Sequence, residues 1–165
     1  MKTKTALRPR LYFSYSQFMV YDQSVRLPGC DWTDVHTAQG FARRESAVNF
    51  STLLEFGYAD VTVTRSTYEP RTKYWRAIAV PFLVTSGTVI VAGPDEILPE
   101  RNISLPLGNY RLVAAQGVTS DDEETIDLFL ELLPKPLERS TILVVDDGLN
   151  PPAVLLESAG VAGED

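Results

Sequence analysis

Side-chain polarity along this chain alternates with a period of two over short runs, and residues that favour turns interrupt those runs. Alternation at that period puts successive side chains on opposite faces of an extended strand, so the pattern dictates sheet rather than helix. Residues 60–65, Asp-Val-Thr-Val-Thr-Arg, carry it most cleanly, and residues 75–80 repeat it ahead of Pro81. The aromatic-rich run at 12–20 reads as one strand with both faces covered. Further runs at 88–92, 102–105, 110–116, 125–133 and 141–145 bring the count to about eight strands, separated by Ser86-Gly87, Gly93-Pro94, Gly108-Asn109 and Asp146-Asp147-Gly148. Short strands at that spacing predict a mainly β fold, an antiparallel β-sandwich. Residues 125–133 also fit a helix, with Ile126, Phe129, Leu130 and Leu133 on one side, but the surrounding strands favour a strand there.

One stretch departs from the rule. Residues 33–44 predict a single short helix, with Val35, Ala38 and Ala42 along one side and Gly40 weakening its middle. The side-chain oxygen of Thr33 or Asp34 can take the first unpaired backbone amides. A chain of 165 residues can bury a core without crosslinks, so residues 1–158 are expected to form one sandwich domain. The small residues and terminal acids of 159–165 predict a disordered tail.

Enzyme chemistry finds little to work with. Cys30 is the one cysteine and His36 the one histidine, so neither a disulfide nor a paired-histidine zinc motif can form within the chain. Asp31 beside Cys30 would raise the thiol's pKa and so disfavour a reactive thiolate. Phosphate-binding glycine loops of the GxxxxGK[ST] and GxGxxG types are absent from the sequence. The acid runs 121–124 and 146–147 supply oxygen ligands of the kind calcium takes, but consecutive acids do not converge on one ion by themselves. No cofactor, no metal and no catalytic set are therefore expected. The lone cysteine, and an N-terminal stretch without a signal-peptide apolar run, predict a cytoplasmic protein. The longest uncharged apolar run, 77–92, is broken by Pro81 and Gly87 and falls short of the roughly 20 residues of a membrane helix, so membrane insertion is not expected.

Charge is distributed unevenly. Residues 1–90 hold 11 Lys and Arg against 7 Asp and Glu, whereas residues 91–165 hold 4 against 15, for a net charge of −7. Such a chain repels a polyanion, so direct nucleic-acid binding is not expected. An acidic surface fits a basic protein partner, whose approach it would steer. A sandwich could alternatively serve as a carbohydrate- or calcium-dependent binding module, with aromatic residues lining a sugar face.

Four stretches in order over residues 11–116 add a further reading: Ser14-Tyr15-Ser16-Gln17-Phe18-Met19-Val20; Asp31-Trp32-Thr33-Asp34 with Gly40-Phe41-Ala42 and Ala47-Val48-Asn49-Phe50; Val80-Pro81-Phe82-Leu83-Val84-Thr85; and Leu105-Pro106-Leu107-Gly108-Asn109-Tyr110-Arg111-Leu112. Together they resemble the competence protein J family, whose members bind and inhibit a partner DNA-entry nuclease. The resemblance implies a non-enzymatic inhibitor of immunity type acting on a basic nuclease, a DNase by the family's precedent. From Thr119 onward the acidic block and the final strand have no counterpart in the family pattern. A nuclease holds its polyanion in a cationic cleft, and carboxylates can occupy the same cleft. The candidate contacts are Asp121, Asp122, Glu123 and Glu124, then Asp95, Glu96, Asp146 and Asp147. Trp32 and Asp34 join them because they lie in a matching stretch, with Trp32 readable either as an interface anchor or as a plug in the core.

Overall fold

The computed structural model describes residues 3–96 and 101–163, and among these the chain forms eleven strands and one helix. Six strands make one sheet, in the order β1 (Lys4–Phe13), β5 (Gly57–Thr64), β10 (Glu123–Leu133), β9 (Gly108–Ser120), β6 (Arg76–Val84) and β11 (Thr141–Val144). Five make the other, in the order β3 (Phe41–Arg43), β4 (Ala47–Ser51), β2 (Gln17–Asp22), β7 (Thr88–Ala92) and β8 (Asn102–Ser104). Pairing is antiparallel apart from β5 with β10, which run parallel.

The period-two pattern sets which side chains meet between the sheets. In β5, Ala59, Val61 and Val63 are buried while Tyr58 and Asp60 face out. Ile126, Leu128 and Leu130 of β10 join them, against Phe18 and Phe50 of the second sheet, whose rings stack 5.3 Å apart. Each such aliphatic or aromatic side chain contributes on the order of 2 kcal/mol by leaving water. A second, smaller cluster lies on the outer face of the six-stranded sheet, where Tyr68 and Tyr74 from the β5–β6 connection cover Phe129, Ala77, Ala79, Val113 and Ala115. β6 and β9 are largely buried on both faces, so the alternation read at 75–80 does not separate buried from exposed positions there.

The sandwich and the strand at 125–133 agree with the sequence; β4 is a strand that the eight runs did not include, and other details differ as well. The run at 12–20 is two strands, because Tyr15 and Ser16 both adopt positive φ, 54° and 55°, and turn the chain from one sheet into the other. The helix α1 spans Asp34–Gln39 rather than 33–44, ended by Gly40 at φ 87°, where a Cβ would lie 2.9 Å from Leu149. Thr33 caps it in a reciprocal box with His36. Residues 41–43 then enter β3, a strand the helical reading had hidden. Pro81 does not end β6. Leu83, two residues on, sends its N–H to Glu45 outside the sheet, so the proline nitrogen also points away from β9 and no ladder bond is lost.

The C-terminal segment is bound rather than free. Beyond β11 the chain crosses to α1, where Gln39 accepts from the Leu156 amide and donates to its carbonyl, at 2.8 and 2.9 Å. The His36 Nε2–H donates to the Ser158 carbonyl at 2.9 Å. Residues 159–163, expected as a disordered tail, lie against residues 29–31 through Asp31 N–H to Gly160 O and Ala162 N–H to Gly29 O. Backbone pairing with a fixed partner is what the composition of the tail did not reveal. Residues 164 and 165 lie outside the described residues.

Candidate interaction surface

Strand register gathers the predicted acids at one end of the sandwich. Phe13 lies opposite Gly57, Tyr58 beside Glu123, Gln17 opposite Ser51, Met19 opposite Ala92 and Arg76 opposite Gln116. The turns that follow β1, β4, β7 and β9, and the segment that follows β11, therefore share that end. Asp95 and Glu96 sit after β7, Asp121 to Glu124 at the β9–β10 hairpin, and Asp146 and Asp147 after β11.

Three of these carboxylates are engaged in pairs and hydrogen bonds within the chain. Glu96 pairs with Arg101, a fully buried arginine whose five N–H groups are all used: Nε to Pro9 O, Nη1 to Val91 O and Glu96 Oε1, Nη2 to Arg10 O and Glu96 Oε2. Asp146 grips Arg76 with both oxygens, at 2.6 and 2.9 Å, while the same guanidinium reaches Ser51 Oγ at 2.7 Å. Burial pushes the Asp146 carboxyl up, but the hydrogen bonds and charge of Arg76 outweigh it and hold the pKa below the ordinary range. Glu124 is buried, 1% exposed, and accepts the Leu54 amide at 2.8 Å. Its burial raises the pKa above the ordinary value despite that bond.

The other candidates remain accessible. Asp121, Asp122, Asp95 and Asp147 are exposed. Asp95 accepts from Ser14 Oγ at 2.6 Å, and Glu123 is partly exposed but engaged with Arg10 at 2.7 Å. Asp34 is exposed in the first turn of α1, where a carboxylate favours the helix N-terminus. Trp32 is half-buried, its ring edge-on to His36 at 6.3 Å, beside the C-terminal segment rather than among the acidic turns.

Aromatic residues at this end are the feature that sequence reading missed. Among the described residues every exposed aromatic side chain belongs to it: Tyr12, Tyr15, Phe56, Tyr58 and Trp75. Tyr12 and Tyr58 face outward as cross-strand partners, 5.4 Å between rings, and the Arg10 guanidinium lies 5.5 Å over Tyr58. The strict alternation Leu11-Tyr12-Phe13 and Gly57-Tyr58-Ala59 held the signal, since one aromatic of each run had to face out.

Cys30 and His36 do not form a reactive pair. Burial pushes the Cys30 thiol up to about 11, and its neighbour Asp31 adds to the rise while Arg44 opposes it. The His36 Nδ1 is occupied by the Thr33 amide at 2.9 Å. Among the described residues no three His, Cys, Asp or Glu side chains cluster as a metal site would require.

A family model described as Competence protein J (ComJ) matches residues 10–133, from β1 to the last residue of β10. The acidic hairpin thus lies inside the matched region, where the sequence reading had placed it beyond the family pattern. A DNA-entry nuclease inhibitor from Bacillus subtilis (strain 168) is 29% identical over 103 residues, 62% of this chain and 75% of its own. The crystal structure of ComJ from Bacillus subtilis, described as the inhibitor of the DNA degrading activity of NucA, aligns with a TM-score of 0.67 at 22% identity, over 79% of this chain and 99% of that one. A structure described as Crocagin biosynthetic gene J aligns with a TM-score of 0.51 at 17% identity, over 77% of this chain and 97% of its own. These two likenesses bear on the fold.

Proposed function

The chain belongs to the competence protein J (ComJ) family, and on that premise we propose that it is a nuclease inhibitor, a non-enzymatic protein that binds a DNA-degrading nuclease and blocks its substrate cleft. The observation that carries this reading is the family match over residues 10–133, together with the relative described as a DNA-entry nuclease inhibitor. It favours inhibition over a carbohydrate- or calcium-binding module.

The physical case concerns the partner's own requirement. A nuclease must attract a polyanion, so its cleft carries cations that the phosphates neutralise. Asp121, Asp122, Asp95 and Asp147 present carboxylates at one end of this chain, within a molecule of net charge −7. Such a surface speeds encounter with a basic protein, and buried contacts then set the dwell time. The reading is tested by titrating the purified protein into a NucA-type nuclease recovered with it from its native cells. One-to-one loss of DNA cleavage is the expected result. Full cleavage at a large excess of this protein contradicts it.

A further inference from the structure

We infer that the partner-contacting part of this surface is an aromatic tip formed by Tyr15 and Phe56, and that its occupant is the rim of the nuclease's cationic cleft, offering the two rings an apolar seat between basic side chains. This rests on the nuclease-inhibitor reading and says where on the chain that function resides.

Tyr15 and Phe56 are 76% and 61% exposed, and neither position is explained by stability. Tyr15 occupies a left-handed conformation, which costs energy for any residue with a Cβ, and its ring gains little burial in return. Exposed aromatic side chains are otherwise confined to the same end among the described residues, while the buried ones fill the core. Tyrosine, tryptophan and phenylalanine are the residues that interfaces concentrate, because they bury much area for little rotamer entropy.

The tip and the acids form one rigid platform. The turn at 14–16 is bonded to the β4–β5 loop through Ser16 N–H to Glu55 O and Thr52 N–H to Ser16 O, each at 2.9 Å. That loop is bonded to the acidic hairpin through Leu54 N–H to the buried Glu124 carboxyl and Tyr58 N–H to Asp122 O, at 2.8 and 2.9 Å. Gly57 lets the two approach, since a Cβ there would lie 2.2 Å from the Asp122 carbonyl oxygen. Glu124 therefore serves the surface from inside, as the anchor of a preorganised shape that costs little to order on binding. Asp122 is tied to the loop through Tyr58 N–H, and Asp95 to the turn through Ser14 Oγ, so carboxylates share this platform with the rings and the fitting partner is cationic around an apolar seat and not a neutral glycan.

The test measures affinity for the co-purified nuclease with Tyr15→Asn and Phe56→Ser, against Leu107→Ser as a control. Asparagine tolerates the left-handed backbone, and Leu107 is 64% exposed in the β8–β9 turn, away from the tip. Each tip variant is expected to bind about thirtyfold more weakly with an unchanged Tm, and the control to bind as the parent. Parent-like affinity of both tip variants, with the parent still inhibiting, overturns the aromatic tip and leaves the inhibitor reading standing. A parent that neither binds nor inhibits the nuclease, or that instead holds a glycan through these rings, overturns both.

Discussion

Glu96 and Asp122 are both acids at turns on the same end of the sandwich, yet one ends on a fully buried arginine and the other in water. The difference lies in what the fold brings to them. Arg101 delivers a guanidinium and draws in the carbonyls of Pro9, Arg10 and Val91, so Glu96 completes a knot that ties β1 to the β7–β8 turn. Asp122 sits at the tip of a hairpin with Ser120 as its side-chain neighbour. An acid-rich half of a chain therefore holds two populations, one that holds the molecule shut and one that faces outward. Charge counts alone do not separate them.

The largest expected effect lies at the buried arginine. Arg101→Met strands Glu96 and three carbonyls inside the protein, and urea unfolding is expected to show a loss of about 3–5 kcal/mol. A loss below about 1 kcal/mol would mean that the knot is not buried as described. Asp146→Ala is expected to cost less, about 2 kcal/mol, because Ser51 still accepts from Arg76. The Asp146 pair also fixes a pH dependence. Its folded pKa is lowered, so the stability it supplies is present above the ordinary carboxylate range and is lost as pH falls through the lowered value.

Glu124 carries the opposite sign. With a raised folded pKa, the native state holds the proton more tightly than the unfolded chain, so stability falls as pH rises from the ordinary glutamate value through the raised one. Glu124→Gln should flatten that slope in unfolding curves measured across the window. An unaltered slope would place the titration on another group. The smallest stability effect belongs to the exposed pair: Asp121→Asn with Asp122→Asn is expected to change unfolding by under about 0.5 kcal/mol. The same double variant should slow association with the nuclease at low salt and leave dissociation nearly unchanged. Faster dissociation with unchanged association would assign these acids to close contacts instead of steering.

Much of the framework was legible because the information is local. The alternation at 60–65, the turns at Ser86-Gly87 and Gly93-Pro94, and the cap at Thr33 each report on a few neighbouring residues, and the strands and helix start agree with them. The helix end was misplaced because Gly40 reads as a weak interior residue until Leu149 and Ile78 are seen packed against it. The split at Tyr15 was hidden because neither Tyr15 nor Ser16 is a residue that usually marks a left-handed turn. In the site, the buried roles of Asp146 and Glu124 depend on Arg76 and Leu54, each 70 residues away in sequence. The exposed acids needed no partner to be recognised, and the exposed aromatics were lost among the core ones they alternate with.

The most direct measurement is amide hydrogen exchange on this protein, free and in complex with the NucA-type nuclease of the titration above. New protection is expected in the turn at 14–16 and the loop at 52–56, with residues 145–163 unchanged. Protection confined to α1 and the C-terminal segment, with that turn and that loop exchanging as in the free protein, would contradict the aromatic tip.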